Sequence, residues 1–279
     1  MVDRHVERTK MREITSTANP LLKVFRHALA DGVTREGWVA VEGPFALEEA
    51  LAAGSNVAVQ SVLASSAAAE KFHVLLDRLP RDTEVALVAD RLFSRVAATP
   101  SPQGIAALVE LKSQDLDSIL RRRDALLIVA CGVQDPGNLG TMMRSALALG
   151  GSALVTLKET VSPFNPKAMR SSAGAIFHLP VFPGVEAASL FERLRGAGVL
   201  IVAAMRDGPQ SLAEADLKGS LAFLIGREAT GLPKEIAQHA DLRWSIPIRP
   251  GMDSVNAATA ASIFLYEAAR QRGFERLSD

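Results

Sequence analysis

The chain has 279 residues, of which 48% are hydrophobic and 22% are charged, and its 31 basic and 31 acidic residues cancel to a formal net charge of zero. This composition excludes a disordered or fibrous protein, because such a chain can bury the core of one large domain or of two ordinary ones. A neutral chain has no overall positive field to attract nucleic acid, so any RNA binding must come from local patches.

A single cysteine, Cys131, excludes an intramolecular disulfide and a thiolate metal cluster, and we expect it to be a buried thiol in a reducing compartment. Residues 1–12 alternate in charge and are interpreted as an N-terminal extension that is not a signal peptide. No uninterrupted apolar run approaches the length that crosses a bilayer. The histidines are scattered without metal-ligand spacing, so no metal site is expected. These features predict a cytoplasmic protein without membrane contact.

The first half of the chain, residues 13–110, alternates short apolar strands with amphipathic helices. Asn19 and Pro20 begin one helical pattern, and Gly32 ends it. This alternation predicts a smaller α/β sandwich domain. Its other elements are predicted as strands over 38–41, 57–63 and 85–88 and as helices over 44–54 and 67–79.

Residues 111–124 are polar and charged, and they include Arg121, Arg122 and Arg123 in succession. Because this segment separates two apolar runs, we predict that it links two domains. The three arginines can contact RNA phosphate, but the favoured interpretation is a solvated helical linker, which is the usual fate of a charge run.

The second half, residues 125–279, repeats a strand, a glycine turn and a helix. Its apolar strands are typical of a parallel sheet that is covered on both faces. Ligands on such sheets bind outside the carboxyl ends of the strands, so the unusual residues at those ends are candidate site residues. The strands are predicted over 126–131, 153–157, 199–205, 221–225 and 244–248.

The first motif at these ends follows the strand 126–131. Pro136 and Gly137 form a turn, Asn138 is expected to cap the next helix through its side-chain oxygen, and Gly140 allows another backbone to approach closely. Arg144 falls on the first turns of that helix. The motif has neither the Walker pattern nor the Gly-x-Gly-x-x-Gly spacing. Alone it also fits a structural turn followed by a surface salt bridge.

The second motif follows the strand 221–225. Gly226 and Gly231 permit backbone conformations that a β-carbon would forbid, and Glu228 lies between them at the strand's end. Two glycines around one carboxylate indicate a shaped pocket. A plain turn with a solvated glutamate is the alternative.

The third motif spans residues 246–256 and leads into a helix over 257–271. Its two prolines require an extended loop, after which Ser254 or Asn256 can cap the helix. That helix begins with small residues on several faces, which allows close packing from more than one side.

Together these motifs resemble the SpoU (TrmH) family of RNA 2′-O-ribose methyltransferases. The resemblance rests on Asn-x-Gly-x-x-x-Arg over 138–144, Gly-x-Glu-x-x-Gly-Leu over 226–232, and Ile-Pro-Ile over 246–248 followed by Ser-x-Asn over 254–256. It covers essentially all of residues 125–272. Upstream, segments near residues 14–20, 41–51 and 102–105 resemble, less specifically, the ribosomal-protein-like substrate-binding domain of the same family.

The resemblance implies that residues 125–279 form an α/β knot domain, in which the C-terminal segment threads through a loop to make a deep trefoil knot. It implies S-adenosylmethionine as the cofactor and a homodimer formed through the knotted domain. The preceding domain implies an RNA substrate, with 23S ribosomal RNA favoured and transfer RNA as the alternative.

The resemblance also implies roles for individual residues. Arg144 would position the phosphate and the 2′-hydroxyl, Glu228 would hold that arginine or order the knot loop, and Asn256 would orient the target. The positions that match the family's cofactor pocket are Ala204, Gly226, Ile246, Ser254 and Val255. The candidates for RNA contact are Asn138, Lys167, Arg170 and Ser171, and an ordinary surface charge is the alternative for Lys167 and Arg170.

Two other functional classes remain open. A non-catalytic RNA-binding protein of the same fold is one, although the intact Arg144, Glu228 and Asn256 argue against it. The other is a nucleotide-dependent enzyme that acts on a small molecule and uses the turn around Gly137 to hold phosphate. That class needs an acidic residue about 20 residues further on, where only the poorly placed Glu159 is found.

Overall fold

The computed structural model describes residues 11–274 of the chain. The chain divides into two compact units, Met1–Ser113 and Gln114–Asp279. The predicted extension, residues 1–12, lies outside the described residues except for its last two, which begin the first strand.

The first unit alternates strands and helices, and its predicted α/β character is confirmed. Pro20 begins the first helix, where the side chain of Asn19 accepts a hydrogen bond from the N–H of Leu21, and Gly32 ends it in a left-handed conformation. The strands are β1 (Met11–Ile14), β2 (Val39–Glu42), β3 (Val57–Ser65), β4 (Glu84–Val88) and β5 (Ile105–Leu111). The helices are α1 (Pro20–Asp31), α2 (Pro44–Ala52), α3 (Ser66–Lys71), α4 (His73–Leu76) and α5 (Asp90–Phe93).

These strands form one mixed sheet in the order β1-β4-β3-β5-β2. β1, β4 and β3 run parallel, whereas β5 is antiparallel to both β3 and β2. Phe25 of α1 and Phe93 of α5 are buried against one face of the sheet, in a cluster with Leu63 and Leu108. The single helix predicted over 67–79 is replaced by α3 and α4, which meet at Phe72.

The segment predicted as a linker, residues 111–124, is only partly a connection. Residues Leu116–Leu120 form a short helix, α6, and its leucine and isoleucine side chains are buried in the core of the second unit. Asp115 caps this helix by accepting hydrogen bonds from two backbone N–H groups. The three arginines that follow are exposed.

The second unit contains the rest of the elements. Its strands are β6 (Leu126–Ala130), β7 (Ala153–Leu157), β8 (Val181–Val185), β9 (Leu200–Ala204), β10 (Gln210–Ser211), β11 (Leu221–Ile225) and β12 (Leu242–Ser245). Its other helices are α7 (Pro136–Ala148), α8 (Pro166–Ser171), α9 (Ala187–Gly196), α10 (Lys234–Ala237) and α11 (Ala257–Gln271). The strand predicted over 244–248 in fact ends at Ser245, because Pro247 has no N–H to donate to a neighbouring strand.

These seven strands form one parallel sheet in the order β10-β12-β9-β11-β6-β7-β8, which confirms the predicted parallel α/β architecture. One face packs against α6 and α9, whose buried residues include Phe191. On the opposite face the rings of Phe223 in β11 and Phe264 in α11 meet with centroids 5.1 Å apart. All the loops that follow these parallel strands therefore lie at one edge of the sheet.

Two helices on that face, α7 and α11, run side by side in the same direction. The amide of Asn138 bonds to that of Asn256 near their first turns, and Ser145 bonds to Ser262 at 2.7 Å two turns further along. The two contacts have nearly the same sequence offset, 118 and 117 residues, as parallel helices require.

Cys131 follows β6 and is buried, as expected. Burial raises the pKa of its thiol well above the usual range, although a backbone hydrogen bond from Ile225 acts in the opposite direction. Within residues 11–274, no helix is both long enough and apolar enough to cross a membrane.

We predict that Gly140→Ala destabilises the second unit. A β-carbon at this position would stand 2.4 Å from the carbonyl oxygen of Ala168 and 2.6 Å from Cβ of Ser171, so α7 and α8 would have to separate. The strain should exceed the helix-propensity gain of about 1 kcal/mol and leave a net loss of at least about 1 kcal/mol. Urea unfolding would measure it.

The control for this experiment is Gly196→Ala at the end of α9, where a β-carbon would meet no atom within 4 Å. A loss of stability at Gly196 as large as that at Gly140, or no loss at either, would contradict the close approach of α7 and α8.

Candidate active site

A cleft of about 540 Å³ opens at the carboxyl ends of β9, β11 and β12. Its wall contains the five residues that were expected to form a cofactor pocket, which are Ala204, Gly226, Ile246, Ser254 and Val255. Phe264 of α11 and Ile225 of β11 add apolar surface, and Glu228 stands at its edge. A volume of this size is typical of a cavity that holds a small ligand.

A tight hairpin follows β11 and forms one side of the cleft. Arg227 and Gly231 exchange backbone hydrogen bonds of 2.9 and 3.0 Å, which close a loop over residues 228–230. A β-carbon on Gly226 would stand 2.3 Å from backbone atoms of Gly231 and Leu232. Glycine is therefore required at position 226 because two backbone segments cross there.

Glu228 projects from this hairpin to the loop that follows β6. One carboxylate oxygen accepts hydrogen bonds from Nδ2 of Asn138 at 2.8 Å and from the N–H of Asp135 at 3.3 Å. The other accepts from the N–H of Gln134 at 3.4 Å. The carboxylate thus joins the hairpin to the first turn of α7.

A second amide extends this contact to α11. Nδ2 of Asn256 donates to Oδ1 of Asn138 at 2.9 Å, while Oδ1 of Asn256 accepts from the N–H groups of Ala258 and Thr259. The hydrogen bonds run in one direction, from the helix N–H groups through both amides to the carboxylate of Glu228. We call this array of Asn256, Asn138 and Glu228 the polar relay.

The relay lowers the pKa of Glu228. Partial burial opposes its ionisation, but the hydrogen bonds from Asn138 and from backbone N–H groups outweigh that effect, so the pKa of Glu228 is lowered. A carboxylate with a lowered pKa is a weak base. The geometry therefore suits Glu228 to organising the site more than to accepting a proton.

Arg144 lies on the exposed surface of α7. The expectation that Glu228 holds this arginine is not met within residues 11–274, where the hydrogen bonds of Glu228 run to residues 134, 135 and 138. These contacts join Glu228 to the loop that follows β6 and to the first turn of α7. The exposed guanidinium of Arg144 faces solvent, where it can meet a phosphate group.

The other candidates for RNA contact lie at α8 and at the start of α7. Nζ of Lys167 bonds to both carboxylate oxygens of Asp135 at 3.2 Å, and this ion pair lowers the pKa of Asp135. Arg170 is exposed, whereas Ser171 is half-buried against Gly140. Both polar atoms of the Asn138 side chain form hydrogen bonds within the polar relay, to Glu228 and to Asn256.

The structure corrects the expected helix cap. Asp135, not Asn138, caps α7, because its side chain accepts hydrogen bonds from the N–H groups of Gly137 and Asn138. Asn138 lies inside the first turn, so its amide is free to bridge Glu228 and Asn256. At α11 the cap is Asn256 rather than Ser254.

Sequence reasoning also missed the ion pair of Arg227 with Glu159, which joins Nη2 to Oε2 at 2.6 Å. Arg227 lies inside the second motif, and Glu159 is the second residue after the end of β7. Their placement just after two parallel strands of the same sheet, β11 and β7, was the one available signal, since the carboxyl ends of parallel strands lie at the same edge of a sheet.

A parallel sheet with a cleft and a polar relay at its strand ends defines an α/β enzyme that binds a small ligand beside a polar reaction site. Two family models match this chain. The SpoU rRNA methylase family matches residues 125–266, and the RNA 2′-O ribose methyltransferase substrate-binding family matches residues 40–114.

The chain is also similar to characterised proteins. It is 31% identical over 262 residues to the 23S rRNA (guanosine(2553)-2′-O)-methyltransferase RlmP of Bacillus subtilis. The aligned residues cover 92% of this chain and 98% of RlmP. It is 35% identical over 201 residues to the 23S rRNA (uridine(2479)-2′-O)-methyltransferase of Streptomyces viridochromogenes, which covers 70% of each.

Solved structures agree. The SpoU methyltransferase AviRb from Streptomyces viridochromogenes superposes with a TM-score of 0.80 at 29% identity, over 93% of this chain and 100% of that one. An AdoMet-bound rRNA methyltransferase from Sinorhizobium meliloti superposes with a TM-score of 0.80 at 29% identity, and the match covers 93% of this chain and 98% of that one. The chain belongs to the SpoU rRNA methylase family and is an RNA 2′-O-ribose methyltransferase.

We predict that Asn138→Ala raises the pKa of Glu228, because the ionised carboxylate loses a hydrogen-bond donor while its partial burial remains. In the native chain this pKa is lowered by folding. The stabilisation from Glu228 is therefore present above the unfolded pKa and disappears as the pH falls through the folded pKa. The variant should lose part of it.

Titration of carboxyl carbon shifts by NMR would measure this change. The control is Glu186, whose pKa is lowered chiefly by the side chain of Lys158 and which should titrate alike in both proteins. An unchanged midpoint for Glu228 would contradict its dependence on Asn138.

Proposed function

We propose that this enzyme transfers the methyl group of S-adenosylmethionine to a ribose 2′-hydroxyl of 23S ribosomal RNA in the cytoplasm. The observation that supports the proposal most directly is the polar relay at the edge of the ligand cleft. The relatives named above act on 23S rRNA, and related structures contain AdoMet. Transfer RNA is the alternative substrate.

The cleft fits this cofactor. The partly exposed apolar side chains of Leu232, Ile246 and Val255 offer surface for an adenine ring. Glycine at position 226 lets the backbone of the wall pack against Gly231 and Leu232, where a β-carbon would stand 2.3 Å from backbone atoms. When bound, S-adenosylmethionine supplies an electrophilic methyl group on a sulfonium. We propose that Ala204, Gly226, Ile246, Ser254 and Val255 hold it.

The protein's own contribution is to orient the acceptor. Oδ1 of Asn256 already accepts two backbone hydrogen bonds, so this side chain has only a second N–H of Nδ2 to offer a substrate. Asn256 therefore donates to an oxygen of the target nucleotide. Holding the reacting oxygen in line with the methyl group accounts for a large share of the rate.

Arg144 supplies the positive charge of the reaction site. A guanidinium keeps its proton in proteins, so it does not serve as a base. It pairs with the phosphate next to the target ribose and stabilises the negative charge that develops on the 2′-oxygen. Lys167, Arg170 and Ser171 extend the contact to neighbouring phosphates, and Asn138 acts through the relay.

We further propose that the C-terminal segment threads through a loop to make a deep trefoil knot and that the enzyme is a homodimer through α7 and α11 of the knotted domain. Leu147 on α7 and Tyr266 on α11 leave 38% and 52% of their surface exposed, and the two helices lie side by side. Apolar residues at the surface of a helix pair are typical of an interface between copies.

The substrate is tested by mapping 2′-O-methyl groups in total RNA from cells with and without the gene. We expect one large-subunit position to lose its methyl group. A loss in transfer RNA instead would support the alternative substrate, and an unchanged map would contradict the proposed activity. Calorimetry should detect binding of S-adenosylmethionine but not of NAD.

We predict that Arg144→Ala retains cofactor binding but loses methyl transfer by about 100-fold or more, the scale of losing one charge-stabilising donor. Calorimetry and a methyl-transfer assay on total RNA from the deletion strain would measure the two effects. The control, Arg193→Ala, removes an arginine of α9 on the opposite face of the sheet. Full activity of Arg144→Ala would refute the role.

We predict that Tyr266→Glu dissociates the dimer, because a charge cannot be buried without a partner at an apolar contact. Light scattering over a range of concentrations would measure the mass. The control is Val74→Glu, which alters an apolar residue of the first unit that is 65% exposed. A monomeric native protein would contradict the proposed interface.

A further inference from the structure

The side chain of Arg227 occupies a constrained position beside the polar relay. It crosses Gly132 so closely that a β-carbon there would stand 2.6 Å from Nε of the arginine. Nη2 then donates to Oε2 of Glu159 at 2.6 Å. Nε is buried without a hydrogen-bond partner among the described residues, which is unfavourable and must be offset by the contact at Nη2.

The residue that receives Arg227 is itself fixed to the loop after β6. Nε2 of Gln134 donates to the carbonyl oxygens of Glu159 and Gly132, at 2.5 and 3.1 Å. The hydroxyl of Thr160 accepts from the N–H of Gly132 at 2.9 Å. Glu159 has a φ of +67°, a conformation that a non-glycine residue adopts only where its surroundings hold it. The loops after β6 and β7 thus form one connected support.

Arg227 and Glu228 are neighbours that contact two different loops. Glu228 bonds to the loop after β6, and Arg227 to the loop after β7. The hairpin between Gly226 and Gly231 is closed by its own backbone bridge, so it moves as one piece. Its attachment at Glu159 therefore sets where Glu228 meets Asn138.

We propose that Arg227 is a positioning residue for methyl transfer, whose ion pair with Glu159 holds the hairpin so that Glu228 keeps the polar relay aligned. This inference rests on the proposed roles of Glu228, Asn138 and Asn256. The side chains of Arg227 and Glu159 are 38% and 74% exposed, and an exposed pair adds at most about 1 kcal/mol to stability. A small displacement of reacting groups, in contrast, can cost about 100-fold in rate.

Glu159→Gln tests the inference, because it removes the charge while it leaves Arg227 in place. We expect kcat to fall at least about tenfold, since misalignment acts on the reaction step. The KM for S-adenosylmethionine and the melting temperature should stay nearly unchanged. The control is Lys158→Gln, which breaks the ion pair between Lys158 and Glu186. Because Glu186 lies at the start of α9 and does not contact the hairpin, this variant should leave kcat unchanged.

A double-mutant cycle with Arg227→Gln supplies the second measurement. If the two side chains act as a pair, the double variant loses no more activity than either single variant. Losses that multiply would overturn the inference, as would native kcat in Glu159→Gln. If Arg227 instead bound RNA phosphate directly, Glu159→Gln would be fully active while Arg227→Gln raised the KM for RNA.

These outcomes separate the inference from the function on which it rests. If Asn256→Ala transfers methyl groups as fast as the native enzyme, the roles proposed for the relay fail, and the positioning role of Arg227 fails with them. If Asn256→Ala is inactive and Glu159→Gln is fully active, only the positioning role fails.

Discussion

The site depends on hydrogen bonds that run in one direction. The first N–H groups of α11 donate to Asn256, Asn256 donates to Asn138, and Asn138 donates to the carboxylate of Glu228. Each amide can satisfy both neighbours in only one orientation, because its oxygen must face the donor and its nitrogen the acceptor. The carboxylate of Glu228 at the end of the array therefore fixes the orientation of both amides, Asn138 and Asn256. It thereby joins the starts of α7 and α11, which are far apart in the sequence.

Short side chains can make these contacts only because the backbones come unusually close. At Gly140, α7 approaches α8, and at Gly226 the strand end crosses the hairpin. At Gly132 the space of a missing side chain is filled by Arg227. In each case a β-carbon would separate segments that the polar groups must join. The glycines of the motifs thus serve the geometry of the site as much as the turns themselves.

The fold and the location of the site were largely predictable from the sequence, because both depend on local chemistry. Apolar strands, the glycines after them and the candidate residues at strand ends indicated a parallel sheet with a site at one edge. What local patterns could not indicate were partners far apart in the sequence, such as Asn138 for Glu228, which are 90 residues apart. The same limit hid α6, since Leu116 and Leu120 lie in a polar segment and are buried only through contact with distant strands. The cap of α7 was predicted wrongly for a different reason, because aspartate and asparagine are both favoured caps and Asp135, not Asn138, takes this role.

The buried thiol of Cys131 gives the folded protein an experimental use. Its pKa is raised by burial, so the thiolate that reacts with alkylating reagents or oxidants is scarcely populated while β6 stays in place. Since it is the only cysteine in the chain, a maleimide label will report opening of the sheet centre and nothing else. An introduced surface cysteine can in turn be labelled selectively in the native enzyme, without removing the natural one.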